Sequence, residues 1–420
     1  MSKKKTNFSE LSITITKQLK REIKKSQGIF FTPQSIINKN INIISKIKNL
    51  GIQNILEPSC GTGEYIHKLH SKFPSANITG IELNNTIFEQ IKYLNTTGNI
   101  QIYNEDYLKW STDVKYDLII GNPPYFVMKK GNIDEKYFDF FDGRPNIFVM
   151  FICDSLLKLQ KNGVLSFILP KNFLNCLYYN KLRKHIINNY KIIDIVECSD
   201  DSYIETQQDT IMFIIQNKKP TKANNKFIYK VGEYTTFNTK SNVKQLYTLS
   251  KSSTTLGALG FDVKVGNVVW NQCKSELTDD TNDTRLIYNS DIKNNALGMK
   301  QYKNPTKKNY ITKEGKTGPM LVLNRGYGKG SYKFDYCIID ISNPYLIENH
   351  LICIIYKSTT ANNDNEAKYN DISNELLIHK YNDIIQSWNN EKTQKFVKLY
   401  FGNNAINTTE LKYVVPMFMT

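Results

Sequence analysis

Short apolar runs and amphipathic runs alternate from Ile52 to Gln216, and this alternation constrains the fold of the 420-residue chain more than any other feature. Ile52 to Glu57, Asn77 to Leu83, Ile100 to Tyr103, Tyr116 to Ile120, Gly163 to Leu169, Ile192 to Glu197 and Thr210 to Gln216 read as strands. Glu64 to Lys72, Thr86 to Leu94, Ile147 to Leu159 and Asn180 to Asn189 read as helices, and isoleucines at 36, 37, 41, 43, 44 and 47 predict another over 34–49. A parallel strand pair needs a long crossover, so this pattern predicts a doubly wound, largely parallel α/β sheet over about residues 28–217. A polar stretch opening at Asn217-Lys218-Lys219-Pro220 predicts a connection over 218–253. Past it the spacing is irregular, with strands at Met320 to Asn324 and Cys337 to Ile341 and a helix at Glu391 to Tyr400, which predicts a second, smaller mixed α+β domain over 254–420.

Four successive strands end in chemistry. The first runs into Pro58-Ser59-Cys60-Gly61-Thr62-Gly63, where glycines let a ligand approach the backbone before a helix N-terminus. The second ends at Glu82, 21 residues after Gly61, where a ribose diol needs a bidentate acceptor. Asn104-Glu105-Asp106-Tyr107 follows the third, with Asp106 placed to accept from an adenine amine and Tyr107 to lie against its ring. Asn122-Pro123-Pro124-Tyr125 ends the fourth. An exocyclic amine is a poor nucleophile because its lone pair is delocalised; a side-chain amide oxygen and a backbone carbonyl aimed at its hydrogens localise that pair. Asn122 and Pro123 supply these acceptors, the prolines stiffen the turn, and Tyr125 offers a ring face. All four ends fall on the carboxyl edge of one sheet, where open α/β folds bind ligands. The loop departs from the dinucleotide pattern G-x-G-x-x-G and an amine-activating turn needs a methyl donor, so the cofactor expected is S-adenosylmethionine.

Lys and Arg number 55 against 39 Asp and Glu, a net +16 that favours a polyanionic partner. Residues 1–50 hold eleven basic residues and two acidic ones, and residues 1–27 are read as a basic arm in which Lys24 and Lys25 reach DNA. The seven cysteines contain no C-x-x-C pair and the five histidines no cluster, so no metal site is expected. No apolar run is long enough to span a membrane, and an intracellular, cytoplasmic protein is expected.

With these residues in place, the chain resembles a gamma-class DNA adenine-N6 methyltransferase, a type II modification enzyme of the Asn-Pro-Pro-Tyr family. Gly28-Ile-Phe-Phe31-Thr32-Pro33 matches the family's amino-terminal segment, so the resemblance implies that Phe31 and Thr32 contact the cofactor. Leu56-Glu57-Pro58-Ser59-Cys60-Gly61-Thr62-Gly63, Gly80-Ile81-Glu82 and Asp106-Tyr107 match the cofactor motifs in order, which implies cofactor binding by Glu57, Ser59, Gly61, Gly63, Glu82, Asp106, Tyr107 and Asn122. Gly163 to Leu174 and Ile192 to Glu197 resemble later sheet motifs. The resemblance covers about residues 20–217 and implies a Rossmann-like methyltransferase sheet. It also implies catalysis by Asn122, Pro123, Pro124 and Tyr125, and stacking of an extruded adenine between Tyr125 and an aromatic seven positions before the strand at Thr210, here Tyr203.

From about residue 254 the chain is similar to the target-recognition domains of these enzymes and of type I specificity subunits, through Val263 to Trp270 and Lys395 to Leu411. Asn324-Arg325-Gly-Tyr-Gly-Lys329-Gly330 is a basic loop suited to phosphate or base edges. The expected substrate is double-stranded DNA and the expected state a monomer, with any cognate restriction nuclease a separate protein. Because the amine-activating turn serves planar amines generally, an RNA or protein-glutamine methyltransferase stays open as an alternative, as does a non-catalytic specificity subunit.

Overall fold

Successive side chains of a strand point to opposite faces, so a strand covered on both sides is apolar throughout. In the computed structural model, β1 (Asn54–Glu57) sends Ile55 into one core and Leu56 into the other. β4 (Tyr116–Gly121) repeats this with Leu118 and Ile120 on one face and Ile119 on the other, and β5 (Leu159–Pro170) with Ile168 opposed to Phe167 and Leu169. With β2 (Asn77–Ile81), β3 (Ile100–Tyr103), β6 (Lys191–Glu197) and β7 (Thr210–Gln216) they form one sheet in the order β3-β2-β1-β4-β5-β7-β6. The pairs from β3 to β5 are parallel; β7 runs antiparallel to both β5 and β6. The chain moves outward from β1 to β3 and then returns to place β4 on the other side of β1. That reversal makes the cleft beyond β1 and β4 a switch point of the kind that binds ligands.

The structure describes residues 7–198, 203–205, 208–325, 332–357, 372–401 and 406–419, and the chain divides into two units, Met1–Val243 and Lys244–Thr420. Within the first unit, α1 (Glu10–Gln18) and α2 (Arg21–Gln27) occupy the segment read as a basic arm, and α3 (Gln34–Ile44) is shorter than the run 34–49. Ser9 caps α1 by accepting from Ser12 N–H. The helix buries Ser12, Ile15 and Thr16, two of them polar, so it carries no apolar stripe to read. α4 (Glu64–Lys72), α5 (Asn85–Ile91), α6 (Ile147–Lys158) and α7 (Asn180–Asn189) follow.

The second unit holds two four-stranded sheets. Phe261–Val265, Leu351–Tyr356, Met320–Asn324 and Tyr336–Ile339 are antiparallel neighbours in that order; Leu277–Thr278, Tyr310–Ile311, Thr284–Ile287 and Tyr345–Ile347 form the other, with its last pair parallel. Helix Asn374–Asn389, absent from the sequence reading, buries Leu377, Tyr381, Ile384 and Trp388, and the Trp388 ring stacks on Phe334 at 4.9 Å between centroids. Gly266 ends the opening strand against a neighbouring backbone. A Cβ there would lie 2.3 Å from the Glu348 carbonyl oxygen and 2.4 Å from that of Ile347. Gly266→Ala is therefore expected to destabilise the protein by about 1–3 kcal/mol, read as a lower midpoint in urea unfolding of the full chain; an unchanged midpoint would contradict the contact.

Candidate active site

The loop after β1 folds back under the sheet edge because Gly61 (φ 51°) and Gly63 (φ 75°) adopt left-handed conformations. Glu82, at the end of β2, holds it there: one carboxylate oxygen accepts from Gly61 N–H at 2.9 Å and the other from Asn84 N–H at 2.7 Å. Asn84 in turn donates to Gln27 at 2.8 Å, which ties the end of α2 to the same edge. One cavity results. Of the residues singled out from sequence, Phe31, Thr32, Glu57, Ser59, Gly61, Glu82, Asp106, Tyr107, Asn122 and Pro124 line it. Gly63, Pro123, Tyr125 and Tyr203 do not. Gly63 instead caps α4, with Leu94 closed against the position of its missing Cβ. Gln27, Glu64 and the exposed Leu83 also line the cavity and escaped the sequence reading.

Asn122 is held from both ends. Its Nδ2 donates to the Phe30 carbonyl at 3.2 Å and to Thr32 Oγ1 at 3.0 Å, and its Oδ1 accepts from the Tyr125 hydroxyl at 2.5 Å. Two acceptors around the NH2 fix which end of the amide is oxygen. The Asn122 carbonyl accepts from Ser59 Oγ at 3.1 Å. Gly28 permits this packing, since a Cβ on it would come within 2.8 Å of Pro124 and 2.9 Å of Tyr125 N. The Tyr125 hydroxyl has one hydrogen and two acceptors in reach, Asn122 Oδ1 and the Ile168 carbonyl at 2.6 Å. Burial, with Tyr203, Cys198 and Tyr65 nearby, holds its phenol well above the ordinary value, so it remains a donor.

Five carboxyl groups line the cavity, those of Glu57, Glu64, Glu82, Glu105 and Asp106. Glu57 is buried and its Oε2 has no hydrogen-bond partner among the described residues; burial first, and then Glu82 and Glu64, push its pKa well above the usual carboxylate range. Burial raises Glu82 to about 7 against the opposing pull of two backbone N–H donors. Glu64 Oε1 accepts from Ser9 N–H at 3.2 Å, from the Ser9 hydroxyl at 2.7 Å and from the Ser12 hydroxyl, which pins α1 to the cavity wall, while its Oε2 has no partner among the described residues. Burial likewise raises the Cys60 thiol and keeps it protonated. Tyr107 is buried, its hydroxyl bonded to Ser155 at 2.8 Å and its ring 4.9 Å from that of Phe151.

Tyr203 is buried beside the cavity, with its hydroxyl 3.2 Å from Thr210 Oγ1, and it faces a recess lined by Thr16, Ile29, Phe30 and Phe31. Lys24 is corrected: it does not present a free charge to DNA but is buried, donating to the Thr16 carbonyl at 2.7 Å and to Glu205 at 2.6 Å. Lys25 and Arg325 are exposed. Lys329, with the loop 326–331 that carries it, lies outside the described residues, as do 402–405 of the closing segment.

Residues 3–204 match the family described as Eco57I restriction-modification methylase. The chain is 27% identical over 381 residues to modification methylase CviBIII of Paramecium bursaria Chlorella virus NC1A, covering 88% of this chain and 93% of the relative. It is also 27% identical to type II methyltransferase M.CvrRI of Paramecium bursaria Chlorella virus XZ-6E, covering 83% and 88%. A solved structure described as the DrdV–DNA complex shares the fold, with a TM-score of 0.56 at 13% identity over 97% of this chain and 57% of that one. These matches are to restriction-modification methylases, and the family match spans just under half of this chain.

The raised carboxyl groups have a consequence for stability. A carboxyl whose folded pKa exceeds its unfolded value adds stability below the unfolded pKa and loses it as pH rises through the folded one. Glu57→Gln keeps the shape and removes the ionisation. In thermal denaturation of the ligand-free chain it is expected to melt above wild type near pH 8, with the difference shrinking near pH 5. A difference that grows toward acid would contradict the burial of Glu57 as an unpaired group.

Proposed function

We propose that this chain transfers a methyl group from S-adenosylmethionine to N6 of an adenine in duplex DNA, at a specific site and with the target nucleotide turned out of the helix. The observation that carries this reading is the fixed amide of Asn122 at the end of β4, on the rim of a cavity whose walls suit that cofactor. The orphaned, buried Oε2 of Glu57 suits the cofactor's ammonium, and Glu82 suits its ribose hydroxyls. Asp106 suits its adenine amine, between the apolar surfaces of Leu83 and Phe151. Thr32 and Phe31 close the methionine end, as the family resemblance implies. When bound, S-adenosylmethionine supplies an electrophilic methyl group.

The protein's part is to hold and localise the incoming nitrogen lone pair. Asn122 Oδ1 and the Pro123 carbonyl accept the two hydrogens of the target amine. An amide oxygen has two lone pairs, and the Tyr125 hydrogen has a second acceptor in the Ile168 carbonyl, so the amine is accommodated without moving the ring. The target atom is buried inside a duplex, so the base leaves the stack at a cost of a few kcal/mol. Stacking on the Tyr125 ring offsets about 1–3 kcal/mol of it. Tyr203 is the proposed second face, reached once its bond to Thr210 opens. Lys25 and Arg325, both exposed, are the proposed phosphate contacts, and the second unit is the proposed target-recognition domain.

The order of the segments along the chain favours adenine in DNA over a glutamine or RNA target. The names of the two viral relatives, a modification methylase and a type II methyltransferase matched over most of their length, favour a modification enzyme over a glutamine or RNA methyltransferase and do not bear on the base. Asn122→Ala is expected to lower methylation of duplex DNA by roughly 100-fold or more while S-adenosylhomocysteine still binds in calorimetry. Near-normal turnover would remove the role assigned to the amide. A duplex with 2-aminopurine at the target position should brighten on binding, and unchanged fluorescence would contradict base extrusion.

A further inference from the structure

Lys24 is the only buried lysine among the described residues, and its ammonium joins three separate pieces of chain. It sits on α2, donates to the Thr16 carbonyl on α1, and pairs with Glu205, whose side chain is 39% exposed against 8% for Lys24. Glu205 lies two positions from Tyr203. Burying an ammonium is costly unless it is paired, so removing Glu205 leaves an uncompensated charge, unlike the loss of an ordinary surface pair.

Both flanks of this bridge reach the reacting centre. Downstream of Lys24, Gln27 bonds to Asn84, and the Phe30 carbonyl and Thr32 hold the Asn122 amide. The strip Ile29 to Phe31 lines the cofactor cavity and also the small recess that holds Tyr203, Ile204 and Glu205. A closely packed wall shared by two pockets transmits a shift in one to the other.

We propose that Lys24 is a positioning residue that fastens the amino-terminal wall of the cofactor cavity to the Tyr203 segment, so that filling the cavity and receiving the target base favour each other. This rests on the methyl-transfer reading above. Linkage makes the effect reciprocal: the factor by which cofactor tightens DNA binding equals the factor by which DNA tightens cofactor binding.

The test uses the full chain, S-adenosylhomocysteine as probe, and a duplex that the wild type methylates. If the wild type methylates no duplex, the functional reading fails first, which is a distinct outcome. In the wild type, S-adenosylhomocysteine should tighten duplex binding roughly tenfold. Lys24→Met and Glu205→Gln should each bring that factor close to one and dim the 2-aminopurine signal, while binding of S-adenosylhomocysteine alone changes little. Their combination should lose no more than either alone, as expected for one shared contact. Glu205 is partly exposed, so its variant keeps the test valid if Lys24→Met fails to fold. A wild type without coupling, variants that keep the wild-type factor, or losses that multiply in the double variant would overturn the proposal.

Discussion

The site depends on two hydrogen bonds from the Asn122 amide, one to the Phe30 carbonyl and one to Thr32 Oγ1. They join a segment from the start of the chain to the carboxyl end of a strand some ninety positions later, and they decide which way the amide points. Without them an asparagine in a turn is free to flip, and its oxygen has no assured place. The switch in strand order between β1 and β4 opens the cleft, and the Phe30–Thr32 segment turns that cleft into a cavity with a fixed acceptor on its rim.

The electrostatics follow from the same closure. Burial makes Glu57 and Glu82 destabilising once ionised, and among the described residues nothing bonds to Glu57 Oε2. A protein that keeps such a group trades stability for a prepared receptor, because a cationic ligand meets an acceptor that water no longer solvates. Glu82 is the milder case. Two backbone donors already hold it, and it titrates near neutrality, so it supports the loop as well as facing the cavity.

Much of the sheet was legible because a strand buried on both faces is a local signal. β3, β7, α4 and α7 have the limits read from the residues, whereas α3 stops at Ile44, short of Ile47. α1 and α2 were missed for a physical reason: their buried positions include Ser12, Thr16 and Lys24, so a polar, lysine-rich segment resembles a solvated arm. Helix Asn374–Asn389 did carry an apolar stripe at Leu377, Tyr381, Ile384 and Trp388, and it went unread beside the polar run before it. In the candidate site, most residues marked by their place at a strand end line the cavity, Gly63, Pro123 and Tyr125 excepted, since sheet order brings those ends together. Groups whose setting depends on distant partners could not be read. The Lys24–Glu205 pair spans 181 positions, and the bond from Tyr203 to Thr210 depends on a packed recess.

The proposed reaction leaves one chemical product, N6-methyladenine within a defined DNA sequence. The most direct measurement is sequencing of DNA from cells that express this chain in an unmodified host, by a method that detects methylated bases. N6-methyladenine is expected at one short motif, absent from cells expressing the Asn122→Ala form. DNA without that mark, or with the methyl group on cytosine instead, would contradict it.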